Sequence, residues 1–354
     1  MSAPSGNIGE WSELYALLEV LVSREVGVPA SDPDRVDFFY PVEYAIRVID
    51  RVPVRIENID EAIVRNEVSH AEIQRSELRR IQAVIQAELR VHRNRKGQLE
   101  IPEARSFLDF LGTHSLTASS TQLADLELGI RNPHTDLVET DSFSIKSLVG
   151  QRATLLNASG STNFIYSISG IDLNLVDSLN AIPKLRDMLK ELRLKGGSLT
   201  YSSMASAVFQ DNLRFIDTHM PEIMAYSLAR YFEFNESNFR DLAETASTAS
   251  ASLGWGYLTP AQIMFKFGSF LEAVALGLRP GTPWSGRLPV SGGLLVVDSD
   301  FNVRLIKPSN HDEFRSHLLD STNLESSSRT RHKYGKLKVV ENQIFLNLNL
   351  QVRY

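Results

Sequence analysis

A chain of 354 residues, 43% hydrophobic and 23% charged, is long enough for one elaborate domain or two, at about 100–200 residues each. It has no cysteine, which excludes disulfides, thiolate nucleophiles and every cysteine-ligated metal site, and no stretch nears the roughly 20 apolar residues that cross a bilayer. The net charge of −6 argues against a polyanionic partner for the surface as a whole. Two spans are locally basic, however. Arg75, Arg79, Arg80, Arg90, His92, Arg93, Arg95 and Lys96 crowd one; Arg329, Arg331, His332, Lys333, Lys336 and Lys338 crowd the other. Phosphate contact needs a local positive face, not a basic chain. Met1 to Asn7 carry no basic region followed by an apolar run, so no secretory signal is expected and a reducing cytoplasm fits.

Residues 9–25 read as a helix, with Trp11, Leu14, Tyr15, Leu18, Leu21 and Val22 at helical spacing. Leu17 and Val20 make it apolar nearly all round, hence buried, with Glu10 and Glu13 near its start. Alternation over 36–57, clearest in Tyr44-Ala45-Ile46-Arg47-Val48-Ile49, predicts strands. Ser69-x-x-Glu72 reads as a capping box that opens a charged helix ending near Gly97, and Pro102 to Leu111 as a short helix. Between 124 and 150, Ala124-Asp125-Leu126-Glu127-Leu128-Gly129-Ile130 alternates apolar and polar. Asn132-Pro133-His134-Thr135-Asp136 then supplies turn residues, and Ser142 to Leu148 alternates again. That pattern is a hairpin with a long or bulged turn.

The stretch 183–276 is predicted to be mainly helical, punctuated by Gly196-Gly197, Pro221 and Pro260. Two more hairpins follow. Leu294–Val297 pairs with Val303–Ile306 across Asp298-Ser299-Asp300, and Leu337–Val340 with Ile344–Leu350 across Glu341-Asn342. No internal repeat, low-complexity tract or linker interrupts the chain. The expectation is therefore a single α+β unit over 1–354, with a core over about 1–180 and a helical and C-terminal β region over about 181–354.

The first hairpin carries the chemistry. With its turn centred between His134 and Thr135, Asp125 faces Ser144, Glu127 faces Ser142, and Lys146 shares the face of Ser144. Cross-strand neighbours have Cβ atoms roughly 4.5–5.5 Å apart, so an acid and a lysine can share one site. A carboxylate can hold Mg²⁺, and the ion polarises a phosphoryl oxygen and lowers the pKa of a bound water. A nearby lysine orients or deprotonates that water and stabilises developing charge. An acid, a turn, then x-x-Lys on the adjacent strand is how nucleases of the PD-(D/E)XK type are read. The same spacing also describes solvated cross-strand ion pairs.

Longer blocks resemble a known family. Gly9-Glu10-Trp11-Ser12-Glu13-Leu14-Tyr15 resembles the opening of the HpaII family of restriction endonucleases. So do Phe143-Ser144-Ile145-Lys146-Ser147, Thr154-Leu155-Leu156-Asn157-Ala158-Ser159 and Thr162-Asn163-Phe164 in the middle. The ending, Ser328-Arg329-Thr330-Arg331-His332-Lys333-Tyr334-Gly335 and then Leu348-Asn349-Leu350-Gln351-Val352-Arg353-Tyr354, is similar too. The resemblance covers essentially the whole chain. It implies a PD-(D/E)XK core, a mixed β-sheet flanked by helices, with an extra helical region and C-terminal β-hairpins. It also implies a Mg²⁺-dependent enzyme of a restriction–modification system, cutting double-stranded DNA at short CG-rich palindromes of the CCGG kind. A homodimer would meet such a palindrome, and a cognate methyltransferase would protect the host.

Carried over by position, Lys146 is the catalytic lysine, Asp125 the metal-binding acid, and Ser144 stands where many such nucleases have a second acid. The family tends to have an acid near Asn132-Pro133; with Asn there, Asp136 and Asp141 are the alternatives to Asp125. Ser144 cannot ligate as an anion, so another carboxylate must complete the site. Glu13 is the choice, because a glutamate on a buried helix needs a metal or lysine to compensate it; Glu127 competes. Glu10 and Glu13 also suit the positive end of a helix, without any metal. Asn157, Ser159 and Asn163 offer uncharged donors to DNA, and Arg329, Arg331 and His332 offer phosphate clamps or guanine readers. A structure-specific repair nuclease, or a non-catalytic DNA-binding protein on a nuclease scaffold, are the other readings.

Overall fold

The computed structural model describes residues 3–29, 36–56, 63–113, 115–116 and 124–354. The chain enters through a short strand β1 (Ser5–Gly6) into helix α1 (Ile8–Ser23). Asn7 caps that helix reciprocally: its Oδ1 accepts from the Glu10 N–H, and its own N–H donates to Glu10 Oε2. The helix is buried on nearly every side, and the Trp11 indole N–H reaches Leu99 O at 2.9 Å. Arg24, in the left-handed region (φ 66°), ends it and feeds β2 (Glu25–Pro29) and the long β3 (Val36–Arg47).

Strands β4 (Val52–Ile56), β5 (Ile63–Asn66) and β6 (Glu72–Gln74) follow as a meander. Helix α2 starts only at Arg75 (Arg75–His92), with Gln74 at its cap. The Ser69–Glu72 capping box therefore does not form. Glu72 pairs with Arg65 in the ladder and in an ion pair, and tertiary pairing overrides the local signal. After β7 (Leu99–Glu100) and α3 (Arg105–Phe110) comes the central hairpin, β8 (Leu126–Arg131) and β9 (Val138–Ser147). Gly129 leaves room in β8 for the Tyr44 ring, which a Cβ there would meet at 2.2 Å.

The chain divides into two compact units, and residues 154–274 open the second. It contains β10 (Thr154–Leu156), β11 (Asn163–Ser169), α4 (Val176–Asn180), α5 (Leu185–Leu194) and β12 (Ser198–Met204). Helices α6 (Ala207–Ile216), α7 (Met220–Phe234), α8 (Phe239–Ala249) and α9 (Pro260–Ala275) follow. The mainly helical reading of this stretch holds except for β12, which pairs with β11.

The hairpin of β13 (Gly293–Val297) and β14 (Val303–Ile306) belongs to the first unit, not to the C-terminal β region. β13 lies parallel to β9, with Leu294 opposite Ser144 and Val296 opposite Lys146. Among the described residues the sheet of this unit runs β2-β14-β13-β9-β8-β3-β4-β5-β6, parallel at β9–β13 and β2–β14 and antiparallel elsewhere, hence mixed. Its core gathers α1, the apolar face of α2 and the strand residues Leu126, Leu128, Phe143 and Ile145.

The chain ends in the second unit with α10 (His311–Ser321), which begins in the first, then β15 (Asn323–Leu324) and α11 (Arg329–His332). Strands β16 (Leu337–Val340), β17 (Gln343–Asn349) and β18 (Val352–Arg353) complete it. Both residues of the Glu341-Asn342 turn have positive φ (49° and 63°), as a two-residue hairpin demands. The whole is α+β.

Candidate active site

Strands β8 and β9 pair with Leu126 opposite Phe143 and Glu127 opposite Ser142. That is the register expected of a turn centred between His134 and Thr135. Asn132 organises the turn, its Oδ1 accepting from His134 N–H at 2.9 Å and its N–H reaching Leu137 O at 2.8 Å. Asp125 immediately precedes β8, and its N–H extends the ladder to Phe143 O at 2.8 Å.

The Asp125 carboxylate is fixed on one side. Oδ2 accepts from the Ile145 N–H at 2.7 Å and from Ser144 Oγ at 3.2 Å. Lys146 Nζ donates to the same Ser144 Oγ at 2.9 Å. Asp125, Ser144 and Lys146 thus form one hydrogen-bonded chain across two strands, and Ser144, 6% exposed, is its buried link. Among the described residues Asp125 Oδ1 accepts no hydrogen bond.

Glu13 comes to the same pocket from α1, together with Leu17, Arg47, Ile49, Leu116, Leu126 and Ile145. Burial pushes its carboxyl up to about 8, and the neighbouring Asp125 charge adds to the rise, while Lys146 and Arg47 oppose it. A buried glutamate beside the Asp125 charge makes a pocket in which a cation would favour the ionised Glu13 carboxylate. A hard divalent cation is what such an all-oxygen pair suits, since Mg²⁺ is commonly held by one or two carboxylates plus waters and substrate phosphate. Asp125 and Glu13 could hold it. Among the described residues no cluster of three or more His, Asp or Glu side chains offers a complete protein cage.

Arg47 was not singled out by the sequence. It is 7% exposed, donates from Nε and Nη2 to Asp50 at 2.5 and 3.0 Å, and from Nη2 to Ser115 O at 2.8 Å. The Arg-x-x-Asp spacing at the end of an apolar strand was its only signal.

Most of the other acids are employed elsewhere. Asp136 sits in the exposed turn, paired with Arg131 at 2.7 Å; Asp141 accepts from Ser291 Oγ at 2.9 Å. Glu127 shares the face of Asp125, two positions along the strand. In the second unit, Asp217 pairs with Lys266 and also caps the His219 N–H.

The expected DNA contacts divide into two groups. Asn157 and Arg331 are exposed, and Ser159 and His332 are half-buried. Asn163 is 5% exposed, and its amide donates to His332 O at 3.0 Å. Arg329 donates to Pro183 O at 2.7 Å and to Gly335 O. These two hold backbone carbonyls, so their donors are directed into the fold.

The geometry can be set beside known proteins. The family model described as HpaII restriction endonuclease matches residues 7–354. The type II restriction enzyme HpaII of Haemophilus parainfluenzae is 29% identical over 360 residues, covering 99% of this chain and 98% of that protein. No solved structure matches the chain. With a match reaching from the cap of the first helix to the final residue, the chain belongs to the HpaII restriction endonuclease family, enzymes that hydrolyse DNA.

Proposed function

We propose that this restriction endonuclease is Mg²⁺-dependent and hydrolyses both strands of DNA within a short CG-rich palindrome of the CCGG kind. The observation that carries the reading is the Lys146–Ser144–Asp125 chain, with Glu13 lining the pocket beside Asp125. The core is of the PD-(D/E)XK type, with Ser144 in place of a second acid.

Asp125 and Glu13 would hold the cation, which would polarise the phosphoryl oxygen and acidify a water. Lys146 orients the attacking water and places an ammonium group where charge develops on phosphorus oxygens. Ser144 and the Ile145 N–H fix the Asp125 carboxylate, so its orientation is set before substrate arrives. The two units act as one endonuclease: the first carries the chemistry, while Asn157, Ser159, Arg331 and His332 of the second contact DNA. A homodimer would match the two-fold symmetry of the site. A cognate methyltransferase would shield the host's copies, and the cytoplasm is where such an enzyme meets DNA.

Digestion of a mapped plasmid with purified protein and Mg²⁺, with run-off sequencing of the ends, tests this. Cuts confined to one CG-rich palindrome, and abolished by EDTA, are expected. Dependence on flaps or junctions would point to repair instead, and binding without scission at any sequence would point to a non-catalytic scaffold.

A further inference from the structure

In the first basic span Arg79, Arg93, Arg95 and Lys96 are exposed and form no ion pair among the described residues, but the rest of the span differs from the second. In α2 many cations are answered from nearby: Arg80 pairs with Glu77 at 2.7 Å, His92 faces Glu88 at 3.5 Å, Arg75 donates to Val22 O, and Arg90 lies 5.3 Å from the Phe301 ring centre. In the span from α11 into β16, Arg331, Lys333, Lys336 and Lys338 are all exposed. Among the described residues none of these four forms an ion pair.

The backbone that carries them is held from beneath by buried polar groups. Asn349, fully buried, donates to Asn163 Oδ1 and to Ser159 O, both at 2.8 Å, and Asn163 in turn grips His332 O. Tyr334, 3% exposed, donates its hydroxyl to Ser327 O at 2.7 Å. Arg329 ties Pro183 O to Gly335 O, and the Gly335 N–H reaches Asn347 O at 2.8 Å. Lys333 (φ 54°) and Gly335 (φ 74°) take left-handed backbone, and a Cβ at Gly335 would lie 2.8 Å from Arg329 Nε. Asn180 holds both backbone groups of Leu337. A merely solvated run of lysines needs no such framework, whereas a preorganised contact surface does.

We propose that this turn is a preformed anchor for the phosphate backbone of duplex DNA, with Arg331, Lys333, Lys336 and Lys338 as its contacts and Arg329, Asn163 and Asn349 as its frame. The inference rests on the reading of the chain as a DNA endonuclease. Phosphate contact suits the residue types better than base reading does. Three of the four cations are lysines, point charges on flexible stems, whereas base edges are read by bidentate groups such as Arg, Asn and Gln.

The test is the affinity of the full chain, in EDTA, for a duplex containing its site and for an unrelated duplex, measured over a range of KCl concentrations. The variant is the triple Lys333→Ala, Lys336→Ala, Lys338→Ala. At about 0.1 M salt its affinity should fall roughly 10²-fold for both duplexes, and the slope of log affinity against log salt should shrink by about 3 × 0.9. An unchanged slope, or a loss confined to the site-containing duplex, overturns the anchor. Arg329→Met should weaken binding while keeping the slope, because the charges remain and only their frame loosens; wild-type affinity from a folded Arg329→Met protein overturns the framing role. Plasmid digestion by the wild type separates the two levels. A wild type that cuts while the triple variant keeps its slope sinks the anchor alone, and a wild type that neither binds nor cuts sinks both.

Discussion

The hairpin around Asp125 and the turn around Lys333 both rely on buried hydrogen bonds to fix charged groups, but the first gathers its charges in a pocket and the second exposes them to solvent. At the hairpin, Glu13, Asp125, Lys146 and Arg47 interact around one small pocket, where burial has raised the Glu13 carboxyl. At the turn, neutral amides lie beneath and the cations stand in solvent. Desolvated charges interact strongly and can act on a reaction barrier; solvated ones are screened by salt and act on encounter and affinity. On the proposed function the comparison separates catalysis from grip, and each prediction strains that separation at one point.

The largest effect belongs to Lys146. Lys146→Ala should slow cleavage by about 10²–10⁴-fold, with kcat and kcat/KM falling together. Duplex affinity in EDTA should stay at the wild-type value. An affinity loss as large as the rate loss would move Lys146 to the gripping side of the comparison. Next comes the support of the pocket. Asp50→Ala strands the Arg47 guanidinium, whose pair is 8% and 3% exposed at its side chains. Breaking a buried pair in this way costs about 3–5 kcal/mol, readable in urea unfolding. A change under about 0.5 kcal/mol would show the pair to be solvated after all.

Glu13 gives the third effect, and its sign follows from the direction of its shift. The carboxyl rises from an ordinary 4.5 to about 8, so between those values the folded chain holds a proton that the unfolded chain has released. The stability this group contributes is complete below about pH 4.5 and is lost as pH climbs through about 8. Without metal, the melting temperature of the wild type should fall over that window more steeply than that of Glu13→Gln. Mg²⁺ should raise the melting temperature more at pH 8 than at pH 6, since a ligating carboxylate must be deprotonated. Equal stabilisation of both proteins by Mg²⁺ would remove Glu13 from the proposed metal site.

Much of the first region could be read from the sequence because its determinants are local. Turn length and alternation together place Glu127 opposite Ser142, and a one-residue slip would turn Leu126 and Leu128 outward. Glu13 was legible because a glutamate on a helix that is apolar nearly all round must find compensation. Arg47 was not, since nothing in an isolated strand says that Asp50 and the Ser115 carbonyl will close over it. Nor was the place of β13 beside β9, a parallel pairing across some 150 residues that leaves no local trace. Glu72 shows the converse, with a good helix-start motif overruled by the partner strand at Arg65. At the turn, composition marked the right span but mixed two roles. Arg329 and Arg331 look alike in sequence, yet one guanidinium clamps carbonyls and the other is exposed.

Arg331 gives the smallest and most discriminating effect. An exposed arginine with no ion pair among the described residues adds little to the fold, so Arg331→Ala should leave stability within about 0.5 kcal/mol. As one phosphate contact among four, its loss should lower affinity by a similar factor on every duplex and reduce the salt slope by about 0.9. A guanine reader behaves differently: it would cost about 1–3 kcal/mol on the preferred site alone and relax discrimination at one base pair. Competition between a duplex carrying the proposed CG-rich site and single-base variants of it distinguishes these outcomes. A uniform loss keeps Arg331 with the lysines as grip; a loss confined to one base pair gives the turn a share in choosing the site, and grip and specificity would then meet in a single side chain.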